Sequence, residues 1–204
     1  MDHERGFRRM VNFSDAIVAI AITLLILPLV DAAGAIGSAS VDTFFRENDV
    51  KLVAFVLSFL VIGSFWLGQH QMLEGARSFN SVLVFGMGLW LFSIVFLPFP
   101  TELISSAHGG IATGHAVYIG TMLVTAVATL IQQWAIVHWP ELQVHEGGRT
   151  PTIDAAVILV VLMAIALVAT LVVPSFGLWP LLLLLLARPL ERVAKVWRRR
   201  TPVD

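Results

Sequence analysis

Phe13-Ser14-Asp15-Ala16-Ile17-Val18-Ala19-Ile20-Ala21-Ile22-Thr23-Leu24-Leu25-Ile26-Leu27-Pro28-Leu29-Val30 is the stretch whose reading decides the fold. Between Ala16 and Leu27 its only polar residue is Thr23, and a run this apolar reads as a helix that crosses a bilayer. The rest of the chain agrees. Of 204 residues, 57% are hydrophobic and only 13% charged, against about 25% charged in soluble domains. The mean hydropathy is +0.85. Windows of about 19 residues place further spans at 50–72, 79–99, 111–138, 153–173 and 176–190, after a first at 13–30. The expectation is an all-α membrane protein, residues 1–204 forming a single six-helix transmembrane domain with no room for a soluble one. The last span is short and holds Pro180, but Leu181 to Leu186 is an unbroken leucine run.

Charge orients these spans. Arg5, Arg8, Arg9, Arg77, Arg149, Arg188, Arg192, Lys195, Arg198, Arg199 and Arg200 fall on the side of the termini, and only Arg46 and Lys51 fall on the other. The positive-inside rule therefore puts both termini in the cytoplasm, and topology alone accounts for the basic tail without a nucleic-acid partner. A secretory signal peptide competes for the N-terminal arginines, the apolar stretch and the small residues of 32–40, but Asp15 interrupts its onset and the stretch is long for that role. There is no cysteine, which excludes disulfides, thiolate metal sites and cysteine nucleophiles.

Ionisable residues inside membrane helices point to function, and Asp15 stands out because it opens the apolar run. With Ile20 at zero on a helical wheel, Leu24 falls at about +40°, Leu27 at about −20° and Thr23 at about −60°, forming one stripe with Asp15 roughly opposite. Lipid cannot solvate a carboxylate, so Asp15 needs partners inside its own subunit. The second span reaches His70 in its last turn at matching depth, where Ser14, Gln69, Gln71, Arg77 and Asn80 complete a polar level. In the fourth span, Gly120, Thr121, Thr125 and Thr129 suit close helix packing.

Arg9-Met10-Val11-Asn12-Phe13-Ser14-Asp15 reproduces the Arg-x-x-x-Phe-Ser-Asp signature of the transmembrane protein 175 family of potassium channels, and the following residues to Leu25 resemble that family's continuation. The family often shows Trp-x-Asn-His-His in the second span, where this chain has Trp66-Leu67-Gly68-Gln69-His70. The resemblance, in its prokaryotic single-repeat form, implies a homotetramer in a plasma membrane, with first helices lining a central pore and K+ as the permeant ion. It makes Ile20, Thr23, Leu24 and Leu27 the pore-facing set, the stripe that the wheel isolates. It makes Arg9, Phe13, Ser14, Asp15 and His70 an intrasubunit network behind the pore.

A Thr-Val-Gly-Tyr-Gly filter is missing, and the one tyrosine, Tyr118, lies in Val117-Tyr118-Ile119-Gly120. What remains physically is a hydrophobic constriction that gates by dewetting and favours K+ because K+ sheds water more easily than Na+. By sequence alone such a stripe ordinarily faces lipid or a packed neighbour. Asp31 falls on the same stripe if the helix passes Pro28, which would ring the outer mouth with carboxylates.

The main alternative is a proton-coupled secondary transporter using Asp15 and His70, although Asp15 lies nearer the edge of its span than the midplane. An enzyme is not expected, since no nucleophile–base pairing is evident. His138, Glu141, His145 and Glu146 fit no zinc spacing, and no metal or cofactor is expected.

Overall fold

Pro28 shapes the first span. A prolyl nitrogen has no hydrogen to give the carbonyl four residues back, so Leu24 loses its helical partner. In the computed structural model, which describes residues 2–37, 40–106, 111–143 and 153–173, the first helix accordingly stops there. Helix α1 runs Asp2–Leu24 and α2 runs Leu27–Gly34. Between them the chain tightens, with Leu25 N donating to Ile22 O at 3.3 Å and Ile26 N to Thr23 O at 3.4 Å. Arg5–Gly34 is long and apolar enough to cross a membrane, so the span extends beyond 13–30 at both ends.

Helix α3, Val41–Glu47, is short and capped by Ser40, whose hydroxyl accepts from Thr43 N at 3.2 Å. Helix α4, Asp49–Leu73, then returns across the bundle. Asn80 starts α5, Ser81–Phe96, by accepting from Leu83 N at 2.9 Å. Pro98 and Pro100 interrupt the ladder again, so that α6, Pro98–Ser106, follows Leu97 directly. Together Ser81–Ser106 forms one candidate span, longer than the expected 79–99. Helix α7, Ile111–His138, ends in a 3-10 turn at Pro140–Leu142, and α8 runs Asp154–Val172 with Asp154 in its first turn.

Five helical segments among the described residues are thus long and apolar enough to span a bilayer. The sixth expected span, 176–190, and the basic residues from Arg188 onward lie outside the described residues.

Helix α7 packs against α5, α6 and α8, while α1 lies along α4 and α5. The main core joins Val18 and Ala21 of α1, and Leu25 just past its end, to Ile62 of α4, Trp90 and Ile94 of α5, Met122 and Ala126 of α7, and Met163 of α8. Large apolar side chains also point outward, Phe92 at 69% and Leu171 at 62% exposure among them, as expected where the surrounding solvent is hydrocarbon.

Polar pairs fasten this interior at three places. Ser58 Oγ lies 2.8 Å from Thr101 Oγ1 and 3.1 Å from Tyr118 OH. Thr125 Oγ1 lies 2.9 Å from Ser93 Oγ. Gln69 Nε2 donates to Gln132 Oε1 at 2.6 Å. Such interhelical bonds contribute about 0.6 kcal/mol each on average within a membrane. The tight approach expected near Gly120 occurs instead at Gly86 of α5. A Cβ there would stand 2.7 Å from Gln132 Cγ, whereas one at Gly120 would meet nothing within 4 Å.

Candidate functional site

Helix α1 has two unlike faces. Phe7, Ser14, Val18 and Ala21 are buried, at spacings of seven, four and three residues that keep side chains on one side of a helix, and Leu25 just past its end is buried too. The other side carries Phe13, Ile20 and Leu24 at 62%, 60% and 40% exposure. Leu27, at 49% exposure, lies beyond the interruption at Leu25–Ile26, on α2. Thr23 is exposed as well, and its hydroxyl donates to Ile20 O at 2.7 Å. With its proton used inside the helix, the Thr23 oxygen has acceptor lone pairs left for another group.

The break before Pro28 changes one part of the wheel. Ile20, Thr23 and Leu24 share α1, but Leu27 and Asp31 belong to a separate short helix, so an angle of 100° per residue does not carry unbroken from Ile20 to Asp31. Asp31 is exposed on α2.

Asp15 is half-buried on the flank of the packed face, and its Oδ1 accepts from Trp66 Nε1 at 2.8 Å. That indole stands between Asp15 and His70. The Trp66 and His70 rings lie 5.6 Å apart with planes tilted by 30°, and His70 Nε2 is 3.8 Å from Glu74 Oε1. Depth matching on the sequence pairs Asp15 with His70; the structure gives Asp15 the tryptophan one turn earlier on the same helix. An N–H bond to a carboxylate is charge-assisted, and it is short here. Trp66 is the first residue of the Trp66–His70 segment that resembles the family's pattern, which is the signal that could have singled it out.

The other members of the expected polar level separate. Ser14 is buried in the α1 interface, whereas Arg9 is exposed, with no ion pair to Asp15 among the described residues. Gln69 turns away from α1 to meet Gln132, a partner that sequence reasoning missed. Arg77 and Ser78 bind the turn after α7: Arg77 N donates to Leu142 O at 2.9 Å, and Ser78 Oγ to Glu141 O at 3.1 Å. Asn80 is occupied as a helix cap. Among the described residues no group of three His, Cys, Asp or Glu side chains is placed to hold a metal; His145 and Glu146 lie outside them.

The class defined by these features is an all-helical membrane protein whose first helix is anchored to its own bundle by a carboxylate–indole bond and leaves an aliphatic stripe uncovered on the other side. A family model described as endosomal/lysosomal potassium channel TMEM175 matches residues 9–98, which include both the Arg9–Asp15 signature and Trp66–His70. Over that segment the chain is similar to the TMEM175 family. It is similar to a protein named potassium channel from Streptomyces collinus, 32% identical over 133 residues that cover 62% of each chain. A protein of the same name from Chamaesiphon minutus is 29% identical over 122 residues, 58% of this chain and 60% of that one. One from a Chryseobacterium strain is 27% identical over 100 residues, about half of each. The match thus spans 62% or less of the length of these bacterial relatives.

Proposed function

We propose that the protein is a potassium-permeable cation channel of a prokaryotic plasma membrane. Four copies assemble with the α1 helices around a central path, each copy contributing six spans with both termini in the cytoplasm. Ile20, Thr23, Leu24 and Leu27 form the constriction, Asp31 stands at the outer mouth, and Arg9, Phe13, Ser14, Asp15 and His70 belong to the support behind it. The observation that carries this reading is the two-faced α1: one face packs into the subunit, and the other leaves Ile20, Thr23 and Leu24 uncovered within the segment that matches a potassium-channel family.

An Ile/Leu ring has no dipoles to replace a hydration shell, so it passes ions only when wide enough to stay wet. K+ holds its water less tightly than Na+ and crosses such a ring at lower cost. Thr23 adds an acceptor oxygen from each subunit. Asp15 holds α1 at a set rotation and takes no part in conduction. The transporter reading has less support, because the Asp15 carboxylate is engaged by Trp66 rather than open to a path.

Purified protein in liposomes tests the proposal. The expected result is K+ current that scales with voltage and needs no counter-substrate. Small polar substitutions, Ile20→Ser, Leu24→Ser and Leu27→Ser, then raise leak or weaken K+/Na+ discrimination. Unchanged conductance and selectivity in all three remove α1 from the pore, and saturating, substrate-dependent exchange makes the protein a transporter.

A further inference from the structure

The end of the bundle where α1 begins and α4 stops holds a cleft of about 390 Å3. This volume lies within the range of small-molecule sites. Its floor is apolar: Phe7, Leu73 and Ala76 are buried in the second core cluster, with Val11 packed beside them. Its rim carries the guanidinium groups of Arg8 and Arg77. Among the described residues Glu74 is the one acid on the lining, and it faces His70 at 3.8 Å. Among the side chains that the structure describes, from Arg5 onward, neither arginine has a carboxylate partner; Arg77 spends its Nε on the Glu141 carbonyl at 3.4 Å, which leaves its terminal nitrogens.

An apolar floor under a basic rim, at the end of two candidate spans, matches one ligand chemistry better than others. A free phosphate or nucleotide gains nothing from Phe7, Val11 and Leu73. A neutral acyl chain gains nothing from Arg8 and Arg77. We propose that this cleft binds an anionic phospholipid, its phosphate between Arg8 and Arg77 and the start of its acyl chains on the Phe7–Leu73 floor. Basic pockets between membrane helices hold anionic headgroups in this way. The site is distinct from the α1 stripe, and binding there does not depend on whether the protein conducts.

Native mass spectrometry of the full chain, exchanged from vesicles of phosphatidylglycerol or of phosphatidylcholine, tests the inference without reference to ion flux. Phosphatidylglycerol is expected to be retained in preference to phosphatidylcholine. Each arginine near the membrane surface is worth about fivefold in affinity, so Arg8→Gln/Arg77→Gln should weaken retention roughly 25-fold. Arg5→Gln, outside the cleft, should change it little. Where Arg77→Gln disturbs the turn held by Glu141, Arg8→Gln alone should still show about a fivefold loss. Equal retention of the two lipids, wild-type retention in the double variant, or an equal loss in Arg5→Gln overturns the proposal. Displacement of the lipid by millimolar glycerol phosphate assigns the site to a free phosphate and overturns the lipid assignment.

Discussion

Trp66→Phe isolates the bond that holds α1 to the bundle. Phenylalanine keeps a ring that can lie against His70 but removes the Nε1–H that Asp15 accepts at 2.8 Å. Hydrogen bonds to charged groups contribute about 1.5–3 kcal/mol when well buried. Here Trp66 is 36% exposed and Asp15 half-buried, so the low end applies, about 1–1.5 kcal/mol after solvent screening. For a chain of this size each kcal/mol moves the melting midpoint by roughly 2–4 °C, giving an expected drop of about 2–6 °C. The assay is thermal melting of purified protein in detergent, read as the fraction eluting at the assembled position in size-exclusion chromatography. A double-mutant cycle with Asp15→Ala attributes the loss: if Trp66 is the partner of Asp15, the two single losses overlap and the double variant melts near the worse of them. On the proposed reading, in which the Asp15 carboxylate positions α1 and stays off the ion path, Asp15→Ala should also deplete assembled protein before it changes selectivity. Additive losses would show that Asp15 relies on another partner, and a Trp66→Phe protein that melts like wild type would refute the assignment outright.

Three further outcomes follow from particular contacts. Gly86→Ala would place a Cβ 2.7 Å from Gln132 Cγ, an overpacking that should cost about 1–3 kcal/mol and lower the melting midpoint, whereas Gly120→Ala, with open space around it, should not. Gln132→Leu strands the buried Gln69 amide at a cost of about 1–3 kcal/mol, so Gln69→Leu/Gln132→Leu should melt higher than Gln132→Leu alone; the opposite order contradicts the pairing. If Asp31 faces the entrance, Asp31→Asn should lower inward single-channel current in dilute salt but not at about 1 M, where the Debye length is about 3 Å; equal currents in dilute salt place Asp31 off the path.

The helical class and the five described spans were legible in the sequence because both depend on local quantities. An apolar run about 20 residues long declares a span whatever surrounds it, since unpaired backbone groups cannot be left in hydrocarbon. Pro28 and Pro98 are equally local, yet the apolar windows 13–30 and 79–99 ran through both, and it is the structure that shows a helix ending before each. The exposed face of Ile20, Thr23 and Leu24 was visible as a period of 3.6 residues, which needs no knowledge of neighbours, but Leu27 lies past the break, on α2. Asp15 also declared its need for a partner by charge alone.

Which partner it meets was not legible there. Depth along a span is a single coordinate that the sequence supplies, and at the depth of Asp15 it offered His70, Gln69, Arg77 and Asn80 together. Choosing among them requires the rotation of each helix and the order in which helices stand side by side, and both follow from side-chain packing across the bundle. With α4 turned so that Ile62 and Gln69 face the interior, Gln69 is carried to Gln132 and Trp66 is left beside α1, where its N–H reaches the carboxylate. Hydropathy therefore determined that this chain spans a membrane and that Asp15 cannot stand alone; only the packing of α1, α4 and α7 decided that an indole satisfies it, because a hydrogen bond requires two atoms within about 3 Å and no one-dimensional pattern sets that distance.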